Sequence, residues 1–277
     1  MNKSFSVIGV GNIARAFLNA LDQMSGKFEI PKNSVTLYNR TPDKISGLLA
    51  AGYNSATSAA QAAAAGDYIF LGVKPQNLAQ IFTDIKNSKV DLSSKTIISP
   101  CAGVTCKAIS ALSGASSVIR IMPNTPMQIG KGVTEICRTD NVSDRDYQYI
   151  CRIFSVCGEV ISIKESEMNA MTAATSSAVA YVYRMISAVC NAASASGADT
   201  PMLERAVAKT FIGAAEMLLA SEHTADELVA AVRSPNGTTE QALRVFDQHN
   251  LEEIISEAVK ACADRAEELG NECELHN

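Results

Sequence analysis

Residues 4–14 read Ser4-Phe5-Ser6-Val7-Ile8-Gly9-Val10-Gly11-Asn12-Ile13-Ala14. A short apolar run stops at a glycine, and an apolar-periodic segment follows over 13–24. That order is strand, tight turn, helix. Gly9 to Ala14 fits G-x-G-x-x-A. The first glycine permits the turn, the second lets backbone approach a pyrophosphate, and the small Ala14 lets the helix pack on the sheet. Phosphates then rest on open amides at the helix N-terminus. The pattern is weak alone, and the preceding strand and following helix supply the context it requires. Gly9, Gly11, Asn12 and Ile13 are therefore predicted to hold a dinucleotide.

Working outward, strands are predicted at 35–40, 67–73, 96–100 and 117–123, with helical segments between, at 41–51 and 58–65 among others. Strand alternating with helix implies a parallel sheet covered on both faces. Residues 132–138 and 159–163 are expected to extend it. Beyond Glu165 the pattern becomes helical: 169–198 with Gly197 as terminator, then 202–221, 225–233, 239–248 and 251–269, with Gly270 at a helix end. Composition shifts at the same place. Alanine numbers 17 over residues 1–163 and 23 over 164–277, while glycine falls from 12 to 4. The fold expected is an α/β Rossmann-type domain over 1–164 followed by an all-α domain over 165–277.

The second strand ends Tyr38-Asn39-Arg40-Thr41-Pro42-Asp43-Lys44. NAD enzymes usually place an acid here for the ribose 2′-hydroxyl, and Asp43 lies too far along. Arg40 and Lys44 instead suit a 2′-phosphate, with Asn39 and Thr41 as hydrogen-bond donors, so NADP is the expected cofactor. Arg40 also reads as a plain surface arginine. Val73-Lys74-Pro75 and Cys101-Ala102-Gly103 fall at carboxyl ends of parallel strands, where open α/β sheets bind ligands. Val73, Lys74, Pro75, Cys101 and Ala102 join the cofactor set. Met122-Pro123-Asn124-Thr125-Pro126 follows the next strand.

Net charge is −5, and no basic stripe marks a nucleic-acid binder. The longest apolar stretch is interrupted by Arg184 and polar residues, which argues against a membrane span. The first residues lack a signal-peptide pattern, and a cytoplasmic location is expected. The eight cysteines (101, 106, 137, 151, 157, 190, 262, 273) form no CxxC pair, and the three histidines (223, 249, 276) lie far from them in sequence. The cysteines read as buried free thiols, with no disulfide and no metal site.

Ser234-Pro235-Asn236-Gly237-Thr238-Thr239 interrupts two predicted helices. Thr238 can cap the next helix with Gln241 as its capping-box partner. The same segment also reads as a carboxylate site, with open amides beside three hydroxyls. No histidine acid is evident near the strand ends. The chemistry expected is hydride transfer to an acceptor already activated, such as a protonated cyclic imine.

Taken together, Gly9–Ala14, Asn39-Arg40, Val73-Lys74-Pro75, Ala102-Gly103, the Met122–Pro126 run and the Ser234–Thr239 run resemble the pyrroline-5-carboxylate reductase family. The matches are in order over roughly residues 5–270, and the Ser234–Thr239 run is the most specific. The resemblance implies NAD(P)H reduction of 1-pyrroline-5-carboxylate to proline. It implies a homodimer through the C-terminal helices, with dimers able to assemble into rings, and an active site between the nucleotide and helical domains. It implies that Thr239 bonds the imine nitrogen, that Ser234 and the amides of Thr238 and Thr239 hold the substrate carboxylate, and that Gly237 and Glu165 lie at the substrate. Glu222 would support the 234–239 loop. The chain departs from the family at Asn236, where a glycine is usual, across 175–181, at Asn169, where an acid is usual, and at Ala231. Two alternatives share these residues: a relative acting on another cyclic imine or small oxo acid, and a non-catalytic nucleotide-binding regulator.

Overall fold

The computed structural model describes residues 3–24 and 28–275. The side chain of Cys273, and all of His276, lie outside the described residues. Strands β1 (Phe5–Ile8), β2 (Val35–Tyr38), β3 (Asn54–Ser55), β4 (Tyr68–Leu71), β5 (Thr96–Ser99), β6 (Ser117–Pro123), β7 (Gly132–Arg138) and β8 (Gly158–Ser162) form one sheet in the order β3-β2-β1-β4-β5-β6-β7-β8. Its first six positions follow the 3-2-1-4-5-6 order of dinucleotide-binding sheets. Every residue of β1, β4 and β5 is buried. These strands are covered on both faces, which is why they read as unbroken apolar runs rather than alternating ones.

The expectation of a parallel sheet holds with one correction. β7 runs antiparallel to β6, pairing Arg120 with Cys137 and Met122 with Glu135. The link over 124–131 turns straight back through Gly130, at φ 71°. It is too short for the dozen or more residues a parallel crossover needs.

Helices α1 (Asn12–Gln23) and α6 (Asp144–Ser155) cover one face. There Phe17 stacks on Phe70 at 4.4 Å and on Phe154 at 5.5 Å between ring centroids. The other face carries α3 (Ala59–Ala65), α4 (Leu78–Asn87) and α5 (Cys106–Ser113). Four alanines of α3 are buried, so a small-residue helix lies close on the sheet. The helix expected over 41–51 starts as a tighter turn (Pro42–Ile45) before α2 (Ser46–Ala50).

The helix expected over 169–198 is broken. A short α7 (Met168–Met171) widens into a π-turn over Thr172–Ser176, and α8 (Ala178–Ala195) follows. The cause is local. Thr172 Oγ1 donates to the Met168 carbonyl and Thr175 Oγ1 to the Met171 carbonyl, both at 2.7 Å. Hydroxyls bonding back to carbonyls four residues earlier bend helices. Then come α9 (Leu203–Ala220), α10 (Ala225–Val232), α11 (Thr238–Gln248) and α12 (Leu251–Leu275).

Gly270 was expected to end a helix, yet α12 runs past it. Its real constraint is a backbone contact: a Cβ on Gly270 would lie 2.3 Å from the Gly103 carbonyl oxygen. In return a Cβ on Gly103, at φ +78°, would lie 2.0 Å from the Ala266 oxygen. The end of α12 thus seats on the turn after β5.

Packing divides the chain into two compact units, one of residues up to 176 together with 261 onward, the other of residues 177–260. Composition placed the division at 164/165, just after β8. The difference arises because α7 and the end of α12 pack with the sheet-bearing unit. In the second unit, none of residues 177–260 is buried.

Candidate active site

The turns after β1 and β4 meet. Gly9 takes φ +87°, and a Cβ there would lie 2.5 Å from Val73 Cγ1. A Cβ on Gly72 would lie 2.0 Å from the Gly9 oxygen. Both positions need glycine for protein packing. Gly11 differs: an added Cβ would meet only the Gly72 oxygen, at 3.9 Å. Its missing side chain leaves room for a ligand rather than for the protein. Gly11 also precedes α1 without any side-chain cap, so the first amides of that helix stay open to an anion.

These turns line a cleft of about 350 Å³. It gathers seven of the predicted cofactor residues: Gly9, Gly11, Asn39, Arg40, Lys44, Val73 and Lys74. The remaining five are not in its lining. Asn12 and Ile13 begin α1, with Ile13 packed on the core, and Pro75 opens the short turn before α4. Cys101 is buried, with Sγ donating to the Val73 carbonyl at 3.5 Å, and Ala102 packs on the same face of the sheet.

Asn39, expected as a phosphate donor, makes two hydrogen bonds within the chain. Its Oδ1 accepts from the Val10 amide at 3.0 Å and its Nδ2 donates to the Thr41 carbonyl at 2.8 Å. It pins the glycine turn to the end of β2. Arg40, Lys44 and Lys74 are exposed at the cleft and free of ion pairs among the described residues, so their charges face solvent where an anion would arrive. Asn77, Gln80 and Asp84 close the far side. Sequence reasoning missed them, although their spacing places them along one face of a helix turn after turn.

A buried polar cluster lies under the carboxyl end of β6. Arg120 is 2% exposed and faces Glu165 at 3.3 Å. Its second terminal nitrogen donates to Asn169 Oδ1 at 3.3 Å, and its Nε has no partner among the described residues. Glu165 Oε1 also accepts the Cys106 amide at 2.6 Å. Glu165 was expected beside the substrate; here its carboxylate holds Arg120 and the start of α5. Cys106 and Cys137 sit against it as buried thiols. The hydrogen bond between them pushes Cys106 up and favours the thiolate on Cys137. Nearby on β7, Glu135 is fully buried, with Thr175, whose hydroxyl donates to the Met171 carbonyl, as a polar neighbour among the described residues. Burial pushes its carboxyl pKa up.

In the second unit, Ser234–Thr239 folds into a tight loop. Asn236 takes φ 58°, the conformation in which the resemblance places glycine. A Cβ on Gly237 would lie 2.2 Å from Ser234 Oγ and 3.0 Å from the Ser234 carbonyl oxygen, so a larger residue would push the Ser234 hydroxyl out of its present place. Gly237, not Thr238, precedes α11, and Glu240, not Gln241, reaches back, accepting the Asn236 amide at 2.8 Å. Glu240 also pairs with Arg233 at 3.4 Å and Arg244 at 3.7 Å. Glu222 is exposed and makes none of these loop contacts. The Thr238 and Thr239 amides open the helix, where the first turn has no carbonyl to bond. Ser234 and Thr238 are exposed and Thr239 is half-buried.

Comparison with known proteins gives a match to each part of the chain. A family model described as pyrroline-5-carboxylate reductase dimerisation matches residues 165–269, and one described as NADP oxidoreductase, coenzyme F420-dependent, matches 4–103. The Escherichia coli pyrroline-5-carboxylate reductase is 31% identical over 271 residues, covering 97% of this chain and 99% of its own. The chain belongs to the pyrroline-5-carboxylate reductase family. The Corynebacterium melassecola member is 30% identical over 270 residues, covering 96% of this chain and 98% of its own. Among solved members, the Plasmodium falciparum pyrroline carboxylate reductase with NADP bound superposes with a TM-score of 0.85 at 26% identity. That match covers 97% of this chain and 98% of the other.

Proposed function

We propose that this enzyme reduces 1-pyrroline-5-carboxylate to L-proline with NADPH. The observation that carries the reading is the 234–239 loop, closed by Gly237 and opening onto the N-terminus of α11. Helix-end amides beside hydroxyls suit a small carboxylate. Ser234 and the amides of Thr238 and Thr239 hold that group. The Thr239 hydroxyl bonds the ring nitrogen and orients the imine. The nicotinamide, when bound, supplies the hydride, so the chain need only bind, orient and exclude water.

On the cofactor side, Gly11 leaves room for the pyrophosphate, and Arg40 and Lys44 neutralise the 2′-phosphate. Asn39 acts by holding the turn. Val73 and Lys74 line the same cleft, while Cys101 and Ala102 support its wall. Glu165 enters as support for β6 through Arg120.

The working unit is a homodimer through the C-terminal helices, and dimers assemble further into a ring. Support comes from the lone helical unit, where Tyr183 is 65% and Met217 63% exposed and nothing is buried. No described helix is long and apolar enough to cross a membrane, and we place the enzyme in the cytoplasm.

The test is NADPH oxidation with pyrroline-5-carboxylate, run beside pyrroline-2-carboxylate and piperideine carboxylates. Fastest turnover is expected on the first. Preference for another imine would move the substrate to the alternative that the altered 175–181 segment leaves open. Thr239→Ala should lower kcat while leaving NADPH affinity in place, and unchanged kcat sinks the role given to Thr239.

A further inference from the structure

The cluster beneath β6 does something no spacing in the chain announces. Cys106 opens α5, Cys137 lies on β7 opposite Arg120, and Glu165 begins the segment after β8. Three separate stretches thus deliver two sulfurs and a carboxylate oxygen, all within 4.8 Å of one another. The thiols are 3% and 5% exposed, whereas the Glu165 side chain is 35% exposed, so the cluster reaches solvent on the carboxylate side only. We infer that Cys106, Cys137 and Glu165 form a binding site for one thiophilic divalent cation of the zinc class.

The donor set fits that class. Zinc takes thiolate and carboxylate ligands in tetrahedral geometry, with sulfur about 2.3 Å and oxygen about 2.0–2.2 Å from the metal. Ligand atoms then lie about 3.8 Å apart or less, within reach of small side-chain rotations from the observed cluster. Hard cations such as magnesium or calcium select oxygens and would leave both sulfurs unused. Three protein ligands leave a fourth position for water, on the side where Glu165 meets solvent.

Charge balance removes the usual objection to a cation beside a buried arginine. Counted from the state with both thiols protonated, the pocket holds only the Arg120–Glu165 pair, whose charges cancel. Binding follows M²⁺ + 2 RSH → M(SR)₂ + 2 H⁺. The two thiolates cancel the metal and Arg120 still cancels Glu165, so the buried net charge is unchanged. No uncompensated charge enters the interior, which is the condition a buried ion must meet. Glu165 Oε1 already serves Arg120 and the Cys106 amide, leaving the second oxygen for the metal. The bound ion would tie α5, β7 and the segment after β8 to one point.

The experiment uses the full chain, chelator-stripped and kept reduced with a phosphine. Cobalt(II) titration should saturate at one equivalent, with sulfur-to-cobalt charge-transfer absorption and the visible bands of a tetrahedral site, and zinc should bleach them. Cys137→Ser and Cys106→Ser should abolish the bands, Glu165→Gln should weaken binding about tenfold or more, and Cys157→Ser should leave them intact. Zinc should raise the unfolding temperature of the wild type and not of Cys137→Ser. Should a cysteine variant fail to fold, X-ray absorption on the zinc-loaded wild type decides alone: two sulfurs and one or two oxygens are expected. Absence of the charge-transfer bands, bands that persist without Cys106 or Cys137, or a zinc shell without two sulfurs overturns the site. So does finding the two thiols joined as a disulfide that excludes metal under these reducing conditions.

Discussion

The two packed units follow the same local rules and arrive at opposite interiors. In both, hydroxyl side chains cap helices: Ser143 accepts from the Asp146 amide in one, and Thr224 from the Glu227 amide in the other. Yet the sheet-bearing unit buries aromatic rings such as Phe17, Phe70 and Phe154 completely, while residues 177–260 bury nothing. Leu219 is 86% and Val232 64% exposed. Helical stability in proteins comes mainly from packing an apolar face, not from propensity or caps. The second unit therefore has well-formed helices with no core of their own, as the proposed homodimer requires. Alanine, which gives close approach and little buried area, suits such an interface better than an internal core.

The sharpest way to break this contrast is to charge the exposed apolar face. Ile212 and Met217 on α9 are 47% and 63% exposed. Ile212→Asp with Met217→Asp should convert the dimer to monomer by light scattering and lower turnover by about a hundredfold or more, since a charge buried at an interface costs several kcal/mol. NADPH affinity, which belongs to the other unit, should change little. A double variant that stays dimeric and active removes α9 from the interface.

Next in size is a change inside the sheet-bearing unit. Gly103→Ala forces a side chain into positive φ and onto the Ala266 carbonyl, a contact of 2.0 Å that no rotamer relieves. A loss of about 3 kcal/mol or more is expected, read as a lower unfolding temperature. If Gly103→Ala unfolds like the wild type, the end of α12 does not seat on that turn.

These glycines show where the sequence was legible and where it was not. Gly9, Gly11 and Ala14 were readable because their task is local: a turn, an open amide row, a close helix. Arg40 and Lys44 were readable by their distance from a strand end. Gly270 was misread, because a glycine that ends a helix and one that admits another backbone look alike in one dimension. The π-turn at Thr172–Ser176 was hidden for a related reason, since its threonines are compatible with a straight helix until their hydroxyls bond back. Cys106, Cys137 and Glu165 come from three segments, and only the sheet register joins them. Pattern reports local dihedrals well and long-range approach poorly.

Glu135 tests how dry the sheet-bearing core is. The pKa of its carboxyl is raised by burial, so the folded chain keeps a proton that the unfolded chain releases at about pH 4.3. Folding is then unpenalised below that pH and loses stability as pH rises, until the folded group ionises. Glu135→Met should therefore stabilise by about 1–3 kcal/mol at pH 7 and by less at pH 4, measured by thermal unfolding at both. A gain that does not depend on pH would mean that Glu135 is already paired.

The smallest effect discriminates best between the units. Ser143→Ala and Thr224→Ala each remove one helix cap, and each should cost about 1 kcal/mol. The size is the same because the chemistry is local, but the readout differs. The sheet-bearing unit carries its own core, so the Ser143→Ala shift should not vary with protein concentration. In the proposed dimer the helical unit folds against a second chain, which links its stability to association. Thr224→Ala should lower the unfolding temperature more at dilute than at concentrated protein. Equal, concentration-independent shifts for both variants would mean that residues 177–260 stand by themselves, and the contrast between the units would fail.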